Sequence, residues 1–210
     1  MTEKEIWVVE SHNHALPLWH IGKRFAKRPL HLLTFDFHTD TCLFWRDADA
    51  QGRIAYQDLI QSWNNAKDGK ERTQCMKRLS HLIDNDHQII EAGRFGIIDE
   101  VTVVRPCYWL PTEQDRMQIK ADCEIKSNFL FAYEEDFSLP DLELGSYILD
   151  IDLDFFLEAS LFDEIDWRKL HSGSVVTTVA KESEWYAIMC DENGLSIDTA
   201  LELIKSKLNG

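Results

Sequence analysis

The chain has 210 residues, of which 44% are hydrophobic, and its nine glycines and five prolines are too few for a fibrous or low-complexity protein, so we expect one globular domain over residues 1–210. Its 37 acidic and 22 basic side chains give a net charge of −15, which argues against nucleic acid or a membrane surface as a partner and favours cationic ligands. The five cysteines form no C-x-x-C pair, and no apolar stretch resembles a signal region or reaches the ~18 residues of a membrane span, so we expect a cytoplasmic protein.

Short apolar segments alternate with helical patterns along the chain. In chain order, the sequence predicts a strand at 6–9, a helix from Pro17 to about Lys27, a strand at 30–35, a helical segment at 56–63, a helix over 72–92, strands at 98–104, 147–153 and 175–180, and a helix after Ser196. Residues 112–142 show no clear pattern. This alternation predicts an α/β fold, with a mainly parallel central sheet between two helical layers and its reactive groups at the carboxyl ends of the strands.

The most informative motif is Asp36-Phe37-His38-Thr39-Asp40, which directly follows the second predicted strand. Asp36, His38 and Asp40 alternate along the chain, so an extended backbone would point all three side chains to the same side. Two carboxylates and an imidazole that converge at the end of a strand are suitable ligands for a divalent metal ion.

A second acidic motif, formed by Asp150, Asp152 and Asp154, lies at the end of the strand predicted at 147–153. Carboxylates that are crowded into an apolar setting repel one another, so they must either take up protons or meet a cation. Either motif alone would also fit a solvated turn or an exposed edge strand. Each motif lies at the end of a strand of the same predicted sheet, so the two motifs together predict a metal site.

A third contribution comes from the end of the first strand, where Glu10 and Ser11 precede His12 and His14. One of these histidines, added to the groups of the two acidic motifs, would complete six ligands. Six ligands are enough for two divalent ions with bridging carboxylates, a type of centre that activates water for hydrolysis.

These motifs resemble those of the arginase and deacetylase superfamily, in which a strand is followed by a histidine, then by a D-x-H-x-D motif and later by a D-x-D motif. The interval from the histidine to the D-x-H-x-D motif is about two dozen residues in arginases, and here Asp36 follows His12 by 24 residues and His14 by 22. A closer likeness is to a poorly characterised branch that includes the peptide arginases of ribosomal-peptide (landornamide-type) biosynthesis. Besides the metal motifs, that likeness rests on Leu16-Pro17, on Val104-Arg105-Pro106 with Trp109, and on the run 149–156.

The resemblance implies an arginase-like αβα sandwich that binds two Mn²⁺ ions per chain. By position, one ion would be held by His12, Asp36, Asp40 and one late aspartate, and the other by His38, Asp36 and the late pair. Arginases follow D-x-D with a short apolar pair, which favours Asp152 and Asp154 as the late pair and leaves Asp150 in a supporting position. The resemblance also favours His12 over His14, and both choices remain open at the level of sequence.

The resemblance further implies a peptide arginase, which would hydrolyse arginine side chains of a precursor peptide to ornithine and urea. Asp40 would carry a proton to the leaving amine, and Glu182 or Glu184 would hold the guanidinium group. The arginase Asp-Pro that follows D-x-D is replaced here by Leu157-Glu158. The chain is also shorter than arginases that act on free arginine, which suits a side chain presented by a peptide.

Two other functions fit the same motifs. One is a zinc-dependent, deacetylase-like amidohydrolase, and the other is a non-catalytic, metal-stabilised module that binds a cationic peptide. Oxygen-rich ligands favour manganese over a single softer metal, which ranks the arginase hypothesis first.

Overall fold

The computed structural model describes residues 4–36, 49–106, 125–131, 137–156, 162–163, 165–189 and 195–210. Its centre is a six-stranded sheet in the order β1-β6-β5-β2-β3-β4, in which every pair of neighbouring strands is parallel. The strands are β1 (Ile6–Val9), β2 (Leu30–Phe35), β3 (Ile98–Arg105), β4 (Lys126–Phe131), β5 (Tyr147–Asp152) and β6 (Val176–Ala180).

Helices cover both faces of the sheet. They are α1 (Leu16–Ala26), α2 (Ala50–Asn65), α3 (Gly69–Leu79), α4 (Gln88–Arg94), α5 (Trp167–Gly173), α6 (Ser183–Met189) and α7 (Ile197–Asn209). Single 3₁₀ turns at His12–Ala15 and Leu153–Phe156 follow β1 and β5. Within the described part of the chain, no helix combines the length and the hydrophobicity needed to cross a bilayer.

The sheet separates two hydrophobic clusters, because successive side chains of a strand point to opposite faces. On β2, Leu32 packs into the cluster that contains α1 to α4, whereas Leu33 packs into the cluster that contains α5 and α7. On β5, Ile148 and Leu149 divide in the same way. The almost complete burial of β2 and β5 explains why the sequence shows continuous apolar runs, as is typical of a parallel sheet covered on both sides. The predicted α/β class and parallel sheet are confirmed, and the layers are consistent with an αβα sandwich.

The single helix predicted over 72–92 was wrong, since α3 ends at Leu79 and α4 begins at Gln88. The side-chain amide of Asn13 donates to the backbone carbonyls of Ser80 (3.0 Å) and Ile83 (2.7 Å), and so satisfies carbonyl groups at the point where α3 stops. The polar residues that follow, 84–86, favour a turn over a continued helix.

The strand predicted at 147–153 ends one residue earlier, at Asp152. The chain then turns into 3₁₀ geometry, so Asp154 leaves the alternating pattern of the strand and is still completely buried. Three elements that the sequence analysis did not predict, β4, α5 and α6, are short and partly polar.

Candidate metal centre

Three buried side chains meet at the carboxyl-terminal edge of the sheet. His12 follows β1, Asp36 follows β2 and Asp152 ends β5, and each is at most 2% exposed. One possible ligand atom of each residue lies within 4.8 Å of those of the other two. Asp36 and Asp152 come from the neighbouring strands β2 and β5, and His12 reaches them from the edge strand β1, on the far side of β6. Side chains that follow parallel strands gather at this edge of a sheet, and the group could hold a metal ion.

His12 uses its two ring nitrogens differently. Its Nε2 lies 2.7 Å from Oδ2 of Asp150, whereas its Nδ1 lies 3.5 Å from Oδ2 of both Asp36 and Asp152. A proton on Nε2 would face Asp150 and leave the lone pair of Nδ1 directed at the other two carboxylates. Histidines that ligate metals are commonly held in this way, with one nitrogen on the metal and the other on a carboxylate.

Asp150 is itself fixed by neighbours on the adjoining strands. The sheet register places Thr34 of β2 and Thr178 of β6 on either side of Asp150, and both hydroxyls donate to its carboxylate, Thr34 at 3.1 Å. The indole N–H of Trp19 in turn donates to Oγ1 of Thr178 at 3.1 Å. Buried hydrogen bonds therefore lead from α1 through Thr178 to Asp150, whose carboxylate lies 2.7 Å from Nε2 of His12.

Burial and the charge of Asp154 raise the pKa of Asp152 well above its usual value, and nearby Glu182 acts in the same direction. The backbone N–H of Asp154 also donates to Oδ1 of Asp152 at 3.1 Å, so the turn after β5 holds that carboxylate in place. Buried carboxylates that repel one another in this way are stabilised by a nearby cation. The donor set of one imidazole and two carboxylates fits a divalent metal.

His14, the alternative ligand, occupies a different position. It is half-buried and packs edge-on against His81, with ring centroids 5.5 Å apart. Because the 3₁₀ turn separates the two histidines by two residues, His12 faces the carboxylates while His14 faces the end of α3.

Glu182 is one of the two candidates for holding a guanidinium group, and its carboxylate is engaged with the protein. Its Oε1 accepts from the backbone N–H of His12 (2.6 Å) and from Oγ of Ser11 (3.1 Å), and its Oε2 accepts from the side-chain amide of Asn85 (3.0 Å). Glu182 also adopts a left-handed backbone with φ of 44°, which is uncommon for a residue other than glycine. It therefore fastens the loop after β6 to the backbone of the candidate ligand His12.

Glu184, the other candidate for guanidinium binding, is exposed at the start of α6. Together with Glu182 it lines a cleft of about 290 Å³ whose remaining walls are Glu10, Ser11, Asn85 and Ser183. This cleft lies directly beside His12 and carries three carboxylates, so it favours a positively charged ligand. A larger cavity of about 430 Å³ is lined by α2, Arg94 and Phe95, without any of the buried carboxylates.

Two of the predicted ligands, His38 and Asp40, lie outside the described residues. Asp154 is described and buried, but it is not part of the group around His12 whose ligand atoms converge. Sequence reasoning did not find Asn85, Thr34 or Thr178. Of these three residues, only the two threonines could have been noticed in the sequence, because they are polar residues inside otherwise apolar strands.

No family model matches the chain, and no curated protein matches it either.

Proposed function

We propose that the chain has an arginase-like fold and is a manganese-dependent peptide arginase, which hydrolyses arginine side chains of a precursor peptide to ornithine and urea. The observation that carries this proposal is the buried group of His12, Asp36 and Asp152 at the carboxyl ends of the strands. The order of these residues along the chain, and the 24-residue interval from His12 to Asp36, match those of the superfamily that the sequence resembles.

The residues present fit a metal centre of that type. Asp36 follows β2 directly, and its backbone N–H donates to the carbonyl of Val104 at 3.0 Å, which fixes its position relative to β3. His12 is held by Asp150 and Glu182, so its Nδ1 has a defined direction. His38, Asp40 and Asp154 would complete the set implied by the resemblance. A pair of Mn²⁺ ions at this position would lower the pKa of water enough to supply hydroxide near neutral pH.

The acidic cleft beside His12 supports a cationic substrate. Glu10 and Glu184 are exposed on its rim, where they can attract the guanidinium group of an arginine side chain. Glu10 already pairs with Lys181 at 3.0 Å, so Glu184 is the rim carboxylate proposed to contact the substrate. Glu182 contributes negative charge to the floor of the cleft while it holds the backbone of His12.

The reaction consumes one water for each arginine side chain. A bond forms between the water oxygen and the guanidinium carbon, the bond from that carbon to Nε breaks, and the departing nitrogen takes up a proton as the amine of ornithine. Asp40 is proposed to deliver this proton.

A single-metal amidohydrolase is the second candidate. One imidazole and two carboxylates at 3.5 Å spacing also form a complete three-ligand set for one zinc ion, with a fourth position for water. This alternative predicts one zinc per chain and turnover of acetyl-lysine peptides.

Metal analysis combined with product analysis decides between these functions. The purified chain, loaded in turn with Mn²⁺ and Zn²⁺, is incubated with an arginine peptide and with the same peptide carrying acetyl-lysine. We expect two manganese ions per chain, urea release from the arginine peptide, and a mass loss of CH₂N₂ for each arginine converted. Turnover of only the acetyl-lysine peptide would support the zinc enzyme, and turnover of neither would support a binding module.

A matched pair of variants links activity to the site. Asp36→Ala and Asp58→Ala each remove one carboxylate, but Asp58 is exposed on α2. Urea release should disappear in the first variant and persist in the second. Equal activity of the two variants would contradict the proposed site.

A further inference from the structure

A strongly basic surface occurs on this otherwise acidic protein. Residues 23–28 and 67–72, which we call the basic surface, contain seven of the chain's 22 lysines and arginines but two of its 37 acidic residues. Six of these seven cations are exposed, and Lys23 is half-buried. The segments belong to the C-terminal end of α1 and the N-terminal end of α3, which pack against each other.

The cations of the basic surface are crowded together. A side chain at Gly69 would meet the guanidinium of Arg24, so the two segments are in direct contact. The guanidinium of Arg72 lies 5.5 Å from the centre of the Trp63 ring, and the buried ring of His20 packs edge-on against the same tryptophan at 5.2 Å. Desolvation lowers the pKa of His20 to about 4, and the charges of Lys23, Arg24 and Arg72 act in the same direction.

Like charges that are held together repel one another, so this arrangement is stabilised when an anion binds. Within the described residues, Arg28 is the member of the basic surface that forms a salt bridge, with Glu143 at 2.9 Å. Phe25, between Arg24 and Lys27, is 78% exposed. Exposed aromatic and arginine side chains are the types that contribute most to protein interfaces.

We propose that the basic surface binds an acidic polypeptide segment. A short peptide can place a few carboxylates on these cations without meeting the rest of the protein. A nucleic acid or an anionic membrane would extend beyond the surface onto a chain whose net charge is −15, where it would be repelled.

The position of the basic surface connects it to the proposed function. Helix α1 begins immediately after the turn that carries His12, and its 11 residues carry the chain about 16 Å away from that turn. An extended peptide covers this distance in about five residues. If the proposed function holds, the arginine substrate carries its acidic segment roughly five or more residues from the reactive arginine.

Binding is tested first without any arginine. The probe is a fluorescent peptide of alternating glutamate and glycine, and its anisotropy is followed at 50 mM and 300 mM salt. We expect saturable binding that weakens at the higher salt concentration, because the charges are screened. No binding by the unmodified chain at 50 mM salt overturns the inference.

Two matched charge reversals locate the binding. The double variant Lys67→Glu/Lys70→Glu changes exposed residues at the N-terminal end of α3, where acidic side chains favour the helix dipole. The control Arg168→Glu/Lys169→Glu makes the same change in net charge at exposed residues in the first turn of α5, in the opposite helical layer. We expect affinity to fall at least about tenfold in the first variant and to stay within twofold in the second. Equal losses would show that total charge alone matters and would overturn the inference.

Two further arms separate the ligand class from the enzymatic function. Single-stranded DNA of equal charge and phosphatidylserine vesicles should bind more weakly than the peptide; tighter binding of either would overturn the assignment to a polypeptide. Urea release is then compared for arginine peptides with the acidic segment five residues away, adjacent, or absent, and we expect the first to be the best substrate. Urea release without such a preference would refute only the predicted spacing between the acidic segment and the arginine. Peptide binding without urea release would refute the proposed function but would support the basic surface as a binding site for acidic peptides.

Discussion

We expect the carboxylate of Asp150 to determine which nitrogen of His12 is available to a metal, and the substitution Asp150→Asn tests this directly. Nε2 of His12 lies 2.7 Å from Oδ2 of Asp150, and Thr34 and Thr178 both donate to the same carboxylate. An asparagine has one acceptor oxygen in place of two, so an N–H group of its amide must face a donor. If the amide N–H faces Nε2, His12 moves its proton to Nδ1 and loses the lone pair that points at Asp36 and Asp152.

The expected loss of metal affinity follows from this change of tautomer. Removal of the hydrogen-bond partner of a ligating histidine commonly weakens metal binding about 10- to 100-fold. At about 1.4 kcal/mol for each factor of ten, this corresponds to about 1.4 to 2.8 kcal/mol. The free energy of unfolding of the metal-free protein should fall by a further ~1–3 kcal/mol, because buried donors lose their acceptor.

The assay is calorimetric titration of Mn²⁺ into the metal-free chain, for the unmodified protein, Asp150→Asn and the exposed control Asp58→Asn. The variant Thr178→Val removes one donor to Asp150 and should weaken binding less than Asp150→Asn does, which gives a graded series if the asparagine variant folds poorly. Nitrogen chemical shifts of His12 report the tautomer independently. Unchanged Mn²⁺ affinity in a folded Asp150→Asn variant would refute the argument.

Three further predictions concern single residues. His12→Ala should weaken Mn²⁺ binding strongly and His14→Ala only mildly in the same titration, because only His12 faces the carboxylates; the reverse order would move the ligand to His14. Asp36→Ala should lose all tightly bound metal in elemental analysis while its circular dichroism remains that of a folded chain, and two retained metal ions would exclude Asp36 as a bridge. Burial and the adjacent cations lower the pKa of His20 from 6.5 to about 4, so between these values the unfolded chain takes up a proton that the folded chain does not. The free energy of unfolding should therefore fall by about 3 kcal/mol as the pH drops from 6.5 to 4. Urea unfolding of His20→Gln should show a correspondingly smaller loss, and equal pH profiles would contradict this origin.

The sequence predicts the centre of the fold better than its periphery. The segments that form β2 and β5 are buried on both faces, so they appear as apolar runs and end in polar motifs that also mark the site. The edge strand β4 could not be found in this way, because it begins Lys126-Ser127-Asn128 and two of these three side chains are exposed. Local propensity likewise does not reveal that the side chain of Asn13 caps the end of α3 from a distant part of the chain.

The candidate site, too, could be predicted from the sequence only in part. Alternation along the chain was enough to predict that Asp36 and Asp152 lie at the carboxyl end of the sheet. It could not distinguish Asp150 from Asp152, because both side chains leave β5 on the same face, and only the sheet register shows that Asp150 lies between Thr34 and Thr178. Nor could it predict that Glu182 turns inward, since that depends on a left-handed backbone after β6.

The hydrogen bonds of Glu182 favour Glu184 as the residue that contacts the substrate. A carboxylate that already accepts hydrogen bonds from His12, Ser11 and Asn85 loses those bonds if it turns to hold a guanidinium group. Each hydrogen bond to a charged group contributes roughly 1.5–3 kcal/mol, so direct binding by Glu182 would cost more than binding by the exposed Glu184. Glu184→Gln should therefore raise the KM for an arginine peptide while metal content is unchanged, whereas Glu182→Gln should reduce metal affinity through His12. If Glu182→Gln instead changed only the KM, Glu182 would be the residue that contacts the substrate, and its bonds to the loop after β1 would have to break during turnover.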